Sequence, residues 1–190
     1  IVAKDQLVLH PYKTPEMKLK NVTENYIPVI TPQVNDTNIR HWIVKGENFL
    51  IRFKRSTGYM DKYIVNGLDM IKDGAALTPN FWRAPTDNDY GAKLQLKYNA
   101  WKNPDIKLIS LKNNIVDNQA VISAEYEMKQ VSAKLYITYT INNQGAVQVN
   151  QKMITDKAAN VSNMFRFGMQ LVMPRSFENI SYYGRGPMEN

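Results

Sequence analysis

The stretch "SAKLYITYTINNQGAVQVNQKMI", residues 132–154, contains two long runs rich in alternating apolar and polar side chains, joined by a loop that carries a glycine. Alternation with a period of two is typical of a strand with one buried and one exposed face. A short loop with a glycine between two such runs indicates a hairpin. The stretch therefore predicts two antiparallel strands, at 131–141 and 146–154, with a less certain register in the second.

Shorter runs of the same kind occur on both sides of this hairpin. "IRHWIVK", "NFLIRFK" and "YMDKYIV" follow one another between residues 39 and 65, and the turn residues Asn66-Gly67 come next. Asn-Gly is a strong hairpin signal because both turn positions need a positive φ. Further strands are predicted at 106–112, 120–128, 163–173 and 179–184.

The pattern as a whole predicts an all-β, antiparallel protein. The one segment with a helical tendency is "GAKLQLKYNAW", residues 91–101, which is long enough for a single turn. Because the strands are long, the pattern favours a large sandwich of two packed sheets.

Composition excludes several classes of function. The 190 residues are 44% hydrophobic and 22% charged, contain no Cys, and include no apolar run long enough to span a bilayer, so we expect no membrane partner. The two histidines, His10 and His41, have no partner at zinc-ligand spacing and are expected to be structural. The net charge of +7 is spread over scattered Lys and Arg side chains. That distribution favours a solvated surface over a nucleic-acid site.

The stretch "NFWRAPTDNDYGAK", residues 80–93, gathers polar side chains and leaves three interpretations open. On a strand, Asp87 and Asp89 would share a face, as the acid pair of a glycosidase or the ligands of a metal or sugar site would require. The structural interpretation, which we favour, has Asp and Asn capping turns while Arg83 binds a carboxylate of the cluster, Asp87 or Asp89. Gly91 could then act as a hinge for the segment up to Ala100, with Trp101 as its anchor.

A second cluster, "YYGRGPMEN", occupies residues 182–190. Two glycines around Arg185, followed by Pro187, predict a tight turn at the end of a strand. The tyrosines there suit either sugar stacking or core packing.

These two clusters together, about 90 residues apart, resemble the C-terminal domain of the large bacterial β-galactosidases of glycoside hydrolase family 2. In that family an R-A-P-x-D-N-D-x-G motif is followed much later by G-x-G-P-x-E-N. The residues that fit the first motif are Arg83, Ala84, Pro85, Asp87, Asn88, Asp89 and Gly91. Those that fit the second are Gly184, Gly186, Pro187, Glu189 and Asn190.

The resemblance implies a particular fold and domain order. The domain would be a large antiparallel supersandwich, similar to galactose mutarotase and incomplete in this chain. Residues 1–10 would be the last strand of a preceding immunoglobulin-like domain, 11–38 a linker, and 39–190 the N-terminal part of the supersandwich. An incomplete sandwich would leave an open sheet beside strands 146–154 or 163–173, and self-association is expected from it.

The resemblance also implies a function. The chain would be a non-catalytic domain of a retaining β-galactosidase that hydrolyses terminal β-D-galactosides. The catalytic glutamates would lie upstream, on a (β/α)₈ barrel against which this domain packs to help complete the sugar pocket. The Arg83 to Gly91 loop would brace that pocket, and the segment from Gly91 to Ala100 would lie near its entrance and be able to move.

The same resemblance leads to expectations about cofactors and compartment, beside which two other functions remain open. No cofactor is expected in this chain, while Mg and Na are candidate metals of the parent enzyme. The compartment stays open between bacterial cytoplasm and periplasm. The main alternative is a stand-alone carbohydrate-binding sandwich, for which the 11% aromatic content is also suitable, and a basic nucleic-acid module is the less favoured third.

Overall fold

The structure, a computed structural model, describes residues 40–156 and 161–179. Within these ranges it contains ten strands, two short α-helices and two 3₁₀ turns. The strands are β1 His41–Lys45, β2 Phe49–Lys54, β3 Met60–Val65, β4 Leu68–Asp69, β5 Thr78–Asn80, β6 Ile106–Val116, β7 Gln119–Met128, β8 Ala133–Ile141, β9 Val147–Thr155 and β10 Gly168–Gln170.

Strands β1 to β4 form one antiparallel sheet in chain order. In β2 the predicted alternation is confirmed, since Phe49, Ile51 and Phe53 are buried while the residues between them are partly exposed. The Asn66-Gly67 turn between β3 and β4 has positive φ at both positions, 49° and 78°, as its sequence predicts.

Strands β6 to β9 form a second four-stranded antiparallel sheet, also in chain order. Strands β7 and β8 lie in its centre, and every second side chain of each is buried. The predicted hairpin between β8 and β9 is confirmed: the Asn142 side-chain oxygen accepts hydrogen bonds from the backbone N–H groups of Gln144 (3.0 Å) and Ala146 (2.9 Å). The β6–β7 hairpin turns at Asp117-Asn118, two non-glycine residues with positive φ. Strand β6 continues up to this turn and ends at Val116, beyond the predicted end at residue 112.

The buried faces of the two sheets pack against each other. The rings of Phe53 and Tyr139 meet edge to face at 4.9 Å between centroids, and those of Tyr59 and Tyr126 stack at 5.4 Å. The Tyr63 hydroxyl donates a 2.8 Å hydrogen bond across the interface to the Gly145 carbonyl. The predicted all-β antiparallel sandwich is thus confirmed.

One predicted strand differs from the structure, and another lies almost entirely outside the described residues. Instead of a strand over 163–173, the chain forms only β10, which pairs with β5 in a separate two-stranded ribbon. The residues of β5, Thr-Pro-Asn, show no alternation of apolar and polar side chains. The sequence pattern therefore did not predict β5, the strand that pairs with β10. The predicted strand at 179–184 lies outside the described residues, except for Asn179, which is not in a strand.

Both sheets are connected through a helical segment. It contains α1 Asp87–Gly91, α2 Leu94–Lys97 and a 3₁₀ turn Asn99–Trp101, which together exceed the single turn that was predicted. We call residues 87–101 the helical arm. In the part of the chain that the structure describes, neither helix has the length and apolar character of a membrane span.

Candidate functional site

The polar cluster folds into the start of the helical arm. Thr86 is the N-cap of α1, and its hydroxyl accepts a 3.4 Å hydrogen bond from the backbone N–H of Asp89. The Asp89 carboxylate reaches back to accept a 2.7 Å hydrogen bond from the backbone N–H of Thr86 and a 3.0 Å bond from its hydroxyl. This reciprocal capping box satisfies backbone donors that a helix start otherwise leaves unpaired.

Arg83 completes the cluster with an ion pair to Asp89. Its two terminal nitrogens donate to the two carboxylate oxygens at 2.5 and 3.2 Å. The side chain of Asp89 is 7% exposed, and no other charged side chain in the described ranges is buried. The predicted contact between Arg83 and a carboxylate of its own cluster is confirmed, and the carboxylate is that of Asp89.

The strand on which Asp87 and Asp89 would share a face does not form. Both residues lie in the first turn of a helix and not on a strand. A rotation of about 200° around the helix axis separates residues two apart, so their side chains point to different sides of the helix. Asp87 and Asn88 are exposed, whereas Asp89 points inward. The capping box between Thr86 and Asp89 favours the helix over a strand, because its two hydrogen bonds form only when the backbone is helical.

The surroundings of Asp89 keep its carboxylate ionised. The hydrogen bond from Arg83, and next the backbone N–H of Thr86, lower the pKa of Asp89 from 3.8 to about 2. A general acid for glycoside hydrolysis needs the opposite change, a raised pKa. Among the open interpretations, the geometry therefore favours the structural brace over the catalytic acid for Asp89.

The described ranges contain no set of side chains that would support the metal interpretation. No group of three or more His, Asp and Glu side chains gathers there in a way that could hold a metal ion. His41 instead lies 3.7 Å from Asp61, whose carboxylate also binds Arg52. The expectation of Mg and Na concerns the parent enzyme and stays a prediction.

An aromatic cluster joins the arm to the segment that precedes β10. The Phe165 ring meets Trp82 edge to face at 4.8 Å and Tyr98 at 5.1 Å. The Arg83 guanidinium lies over the same ring, 4.7 Å from its centroid. Phe165 thus contacts residues on both sides of α1.

Trp101 fixes the far end of the arm. Its side chain is 2% exposed, its indole N–H donates a 2.8 Å hydrogen bond to the Ser162 carbonyl, and its ring packs edge to face on Phe81. The prediction that Trp101 anchors this segment agrees with that packing. The arm is therefore held at its start by Arg83 and Asp89 and at its end by Trp101.

The outer face of the arm presents apolar side chains to solvent. Tyr90 is 55% exposed and Leu96 is 68% exposed. Between them the backbone turns at Lys93, which has a φ of 57°, whereas Gly91 has no positive φ and nothing within 4 Å of an added Cβ. The left-handed turn of the arm thus falls on Lys93, and a hinge at Gly91 stays a prediction.

The remaining predicted site residues cannot be placed. The second motif, Gly184 to Asn190, lies outside the described residues, as do the proposed domain boundaries at 10 and 38. The structure does bring in residues that the sequence reasoning missed. For Thr86 a signal existed, since Thr-x-x-Asp is a capping pattern, but for Phe165 none existed, because its contacts lie 67 to 83 positions away along the chain.

We expect the depressed pKa of Asp89 to appear as a dependence of stability on pH. A carboxyl group whose pKa is lower in the folded than in the unfolded chain stabilises the fold above its ordinary pKa, here 3.8, and that contribution is lost as pH falls toward about 2. The melting temperature should therefore fall between pH 4 and pH 2, and Asp89→Asn should remove part of that fall. Asp87→Asn, at an exposed position on the same helix turn, should remove less of that fall than Asp89→Asn does; an equal effect of both changes would contradict the assignment.

The fold and the site define a class: a two-sheet antiparallel sandwich with a polar loop that is held by an internal ion pair. The family described as "Beta galactosidase small chain" matches residues 45–190. This chain belongs to that family.

Individual relatives agree with this assignment. The chain is 30% identical over 166 residues to a β-galactosidase of Priestia megaterium, an alignment that covers 86% of this chain and 15% of that protein. It is 26% identical over 192 residues to a β-galactosidase of Staphylococcus xylosus, covering 98% of this chain and 18% of the relative. A Streptococcus thermophilus β-galactosidase is 29% identical over 150 residues. The chain thus spans less than a fifth of the length of the first two relatives.

Proposed function

We propose that this chain is a non-catalytic domain of a larger, retaining β-galactosidase that hydrolyses terminal β-D-galactosides. In this proposal the domain packs on the catalytic barrel, and the helical arm helps to complete the sugar pocket. Family membership supports the enzyme class, and the small share of each relative that the chain covers supports a domain within a larger polypeptide.

The chemistry of the polar cluster supports a non-catalytic role. A retaining mechanism needs two carboxyl groups roughly 5–5.5 Å apart, one of which must be protonated to act as the acid. Asp89 is ionised and bonded to Arg83 and Thr86, and Asp87 points into solvent from another side of the helix. Neither residue is arranged for this reaction.

The observation that carries the pocket role is the exposed outer face of an arm with fixed ends. Tyr90 and Leu96 extend from a segment whose start is bonded to Arg83 and whose end is held by the buried Trp101. Large apolar side chains held in this way are suited to contact a protein surface or a sugar ring, because little conformational freedom is lost on binding. The proposed contact is with the catalytic barrel beside its sugar pocket.

The central experiment compares this chain alone with the full-length enzyme that carries it. We expect the chain alone to show no turnover of a chromogenic β-galactoside, and the full-length enzyme to hydrolyse it. Turnover by the chain alone that disappears on Asp87→Asn would overturn the proposal.

A second measurement tests the arm within the full-length enzyme. Replacing Tyr90 and Leu96 together by Ser should raise the KM for a β-galactoside about tenfold or more, because burying one apolar side chain contributes about 1.5–3 kcal/mol and about 1.4 kcal/mol corresponds to a factor of ten. The matched control is Leu68→Ser on β4, also a highly exposed apolar position at 60%. Equal KM values in the unsubstituted enzyme, the double variant and Leu68→Ser would show that the arm does not contribute to the pocket.

One observation favours the alternative of a stand-alone carbohydrate-binding module. A cleft of about 550 Å³ beside the arm is lined by residues that include Tyr98, Asp156 and Asn163. Such a lining suits a sugar. Calorimetric titration of the chain alone with galactosides discriminates the two functions, since saturable binding without the barrel would favour the module.

A further inference from the structure

We infer that Phe165 is a positioning residue for the helical arm: its ring holds Arg83, and through Arg83 the start of α1, in the orientation that the arm needs. The effect of Phe165 on the arm is inferred from contacts within this chain. The expected effect of Phe165 on substrate binding rests on the proposed function.

The contacts of Phe165 reach both sides of the arm. Trp82 and Arg83 lie five and four residues before the start of α1, while Tyr98 follows α2, and all three contact the Phe165 ring at centroid distances of 4.7 to 5.1 Å. The two aromatic contacts are edge to face, an arrangement that fixes the relative orientation of the rings. A single side chain therefore connects the residues before the arm with Tyr98 near the end of the arm.

Arg83 is the group through which this support reaches α1. Its guanidinium bonds the Asp89 carboxylate and also lies over the Phe165 ring. The side chain is 37% exposed and donates to the Asp89 carboxylate and to the Ala84 carbonyl, so loss of the ring would loosen the guanidinium without freeing it. The Asp89 carboxylate would then keep the Thr86 cap, while its bond to Arg83 would hold the direction of the helix start less firmly.

Phe167 provides a matched control on the same segment. It lies two residues away, is 48% exposed, and stacks on Phe81 at 5.8 Å. Phe81 belongs to the core and also supports Trp101. Loss of the Phe167 ring removes an aromatic contact of similar distance without touching Arg83.

The test uses the full-length enzyme and three variants. Phe165→Met keeps apolar bulk but removes the ring face, Phe165→Tyr keeps the ring, and Phe167→Met is the control. Backbone amides of residues 87–101 should exchange with deuterium about tenfold faster in Phe165→Met, while the amides of β7 and β8 in the same sample exchange as before. Phe165→Tyr and Phe167→Met should leave the arm amides unchanged.

Steady-state kinetics on the same proteins add a readout that a merely structural residue would not move. If the arm borders the pocket, Phe165→Met should raise KM about threefold to tenfold with little change in kcat, and Phe165→Tyr should restore it. Unchanged exchange in Phe165→Met overturns the inference. Faster exchange of the arm amides with an unchanged KM keeps the positioning role and instead overturns the proposed place of the arm at the pocket.

Discussion

Replacing Trp101 by Ala should lower the free energy of unfolding by about 3–5 kcal/mol, the range for removing a large aromatic side chain from a packed core. The indole is 2% exposed, packs on Phe81 and donates its N–H to the Ser162 carbonyl. Its removal leaves a cavity and an unpaired carbonyl at the point where the arm meets the segment before β10. Urea unfolding followed by far-ultraviolet circular dichroism measures the change.

Two further substitutions separate the contributions of Trp101. Trp101→Phe keeps most of the packing and loses the hydrogen bond, so it should cost less, about 1–3 kcal/mol. Trp82→Ala removes an indole that is only half-buried and should also cost less than Trp101→Ala. A loss of under about 1 kcal/mol for Trp101→Ala would show that the indole does not anchor the arm.

The second large effect is expected at Gly58, where the β2–β3 turn meets the opposite sheet. Its φ is +70°, and an added Cβ would lie 2.6 Å from the Tyr126 hydroxyl oxygen and 3.0 Å from a Leu108 methyl carbon. Gly58→Ala should therefore add a left-handed backbone cost of about 1–2 kcal/mol to an overpacking cost of about 1–3 kcal/mol. The free energy of unfolding from urea titration is again the measurement.

A control glycine and a double-mutant cycle isolate the steric part. Gly74 has a nearly equal φ of +77° but no atom within 4 Å of an added Cβ, so Gly74→Ala should show the backbone cost alone. Because the nearest atom at Gly58 is the Tyr126 hydroxyl, Tyr126→Phe should recover part of the loss in a Gly58→Ala background. If Gly58→Ala and Gly74→Ala cost the same, the sheets are not packed as closely as the structure shows.

The site also gives a physical account of the D-N-D-x-G sequence in this chain. The first aspartate, Asp87, is exposed in the first turn of α1, where a negative charge favours the helix start. The second, Asp89, is bonded to the cap residue and to Arg83. Two carboxylates that resemble a catalytic pair along the sequence thus shape a helix start in the folded chain.

Much of the fold could be predicted from local pattern. Strands β7 and β8 have the period-two alternation that marks one buried face, and in β9 the same alternation gives a partly buried face. The Asn66-Gly67 turn needs a backbone that these residues adopt easily. These features depend on neighbours a few residues apart, so they can be recognised without knowing what packs on them. Arg83 binding a carboxylate of its own cluster is local in the same sense, since six positions separate it from Asp89.

What the sequence by itself determined was thus the antiparallel sandwich, its central hairpins and a polar cluster that bonds to itself. The tertiary structure decided which aspartate is bonded, that Phe165 supports the arm, and that 163–173 forms a three-residue strand beside β5. The physical reason is distance along the chain. The roles of Phe165 and β10 depend on partners some 60 to 90 positions away, and an apolar side chain is compatible with many partners until the fold brings one of them beside it. The choice of Asp89 over Asp87 depends on the chain folding as a helix at this point and not as a strand.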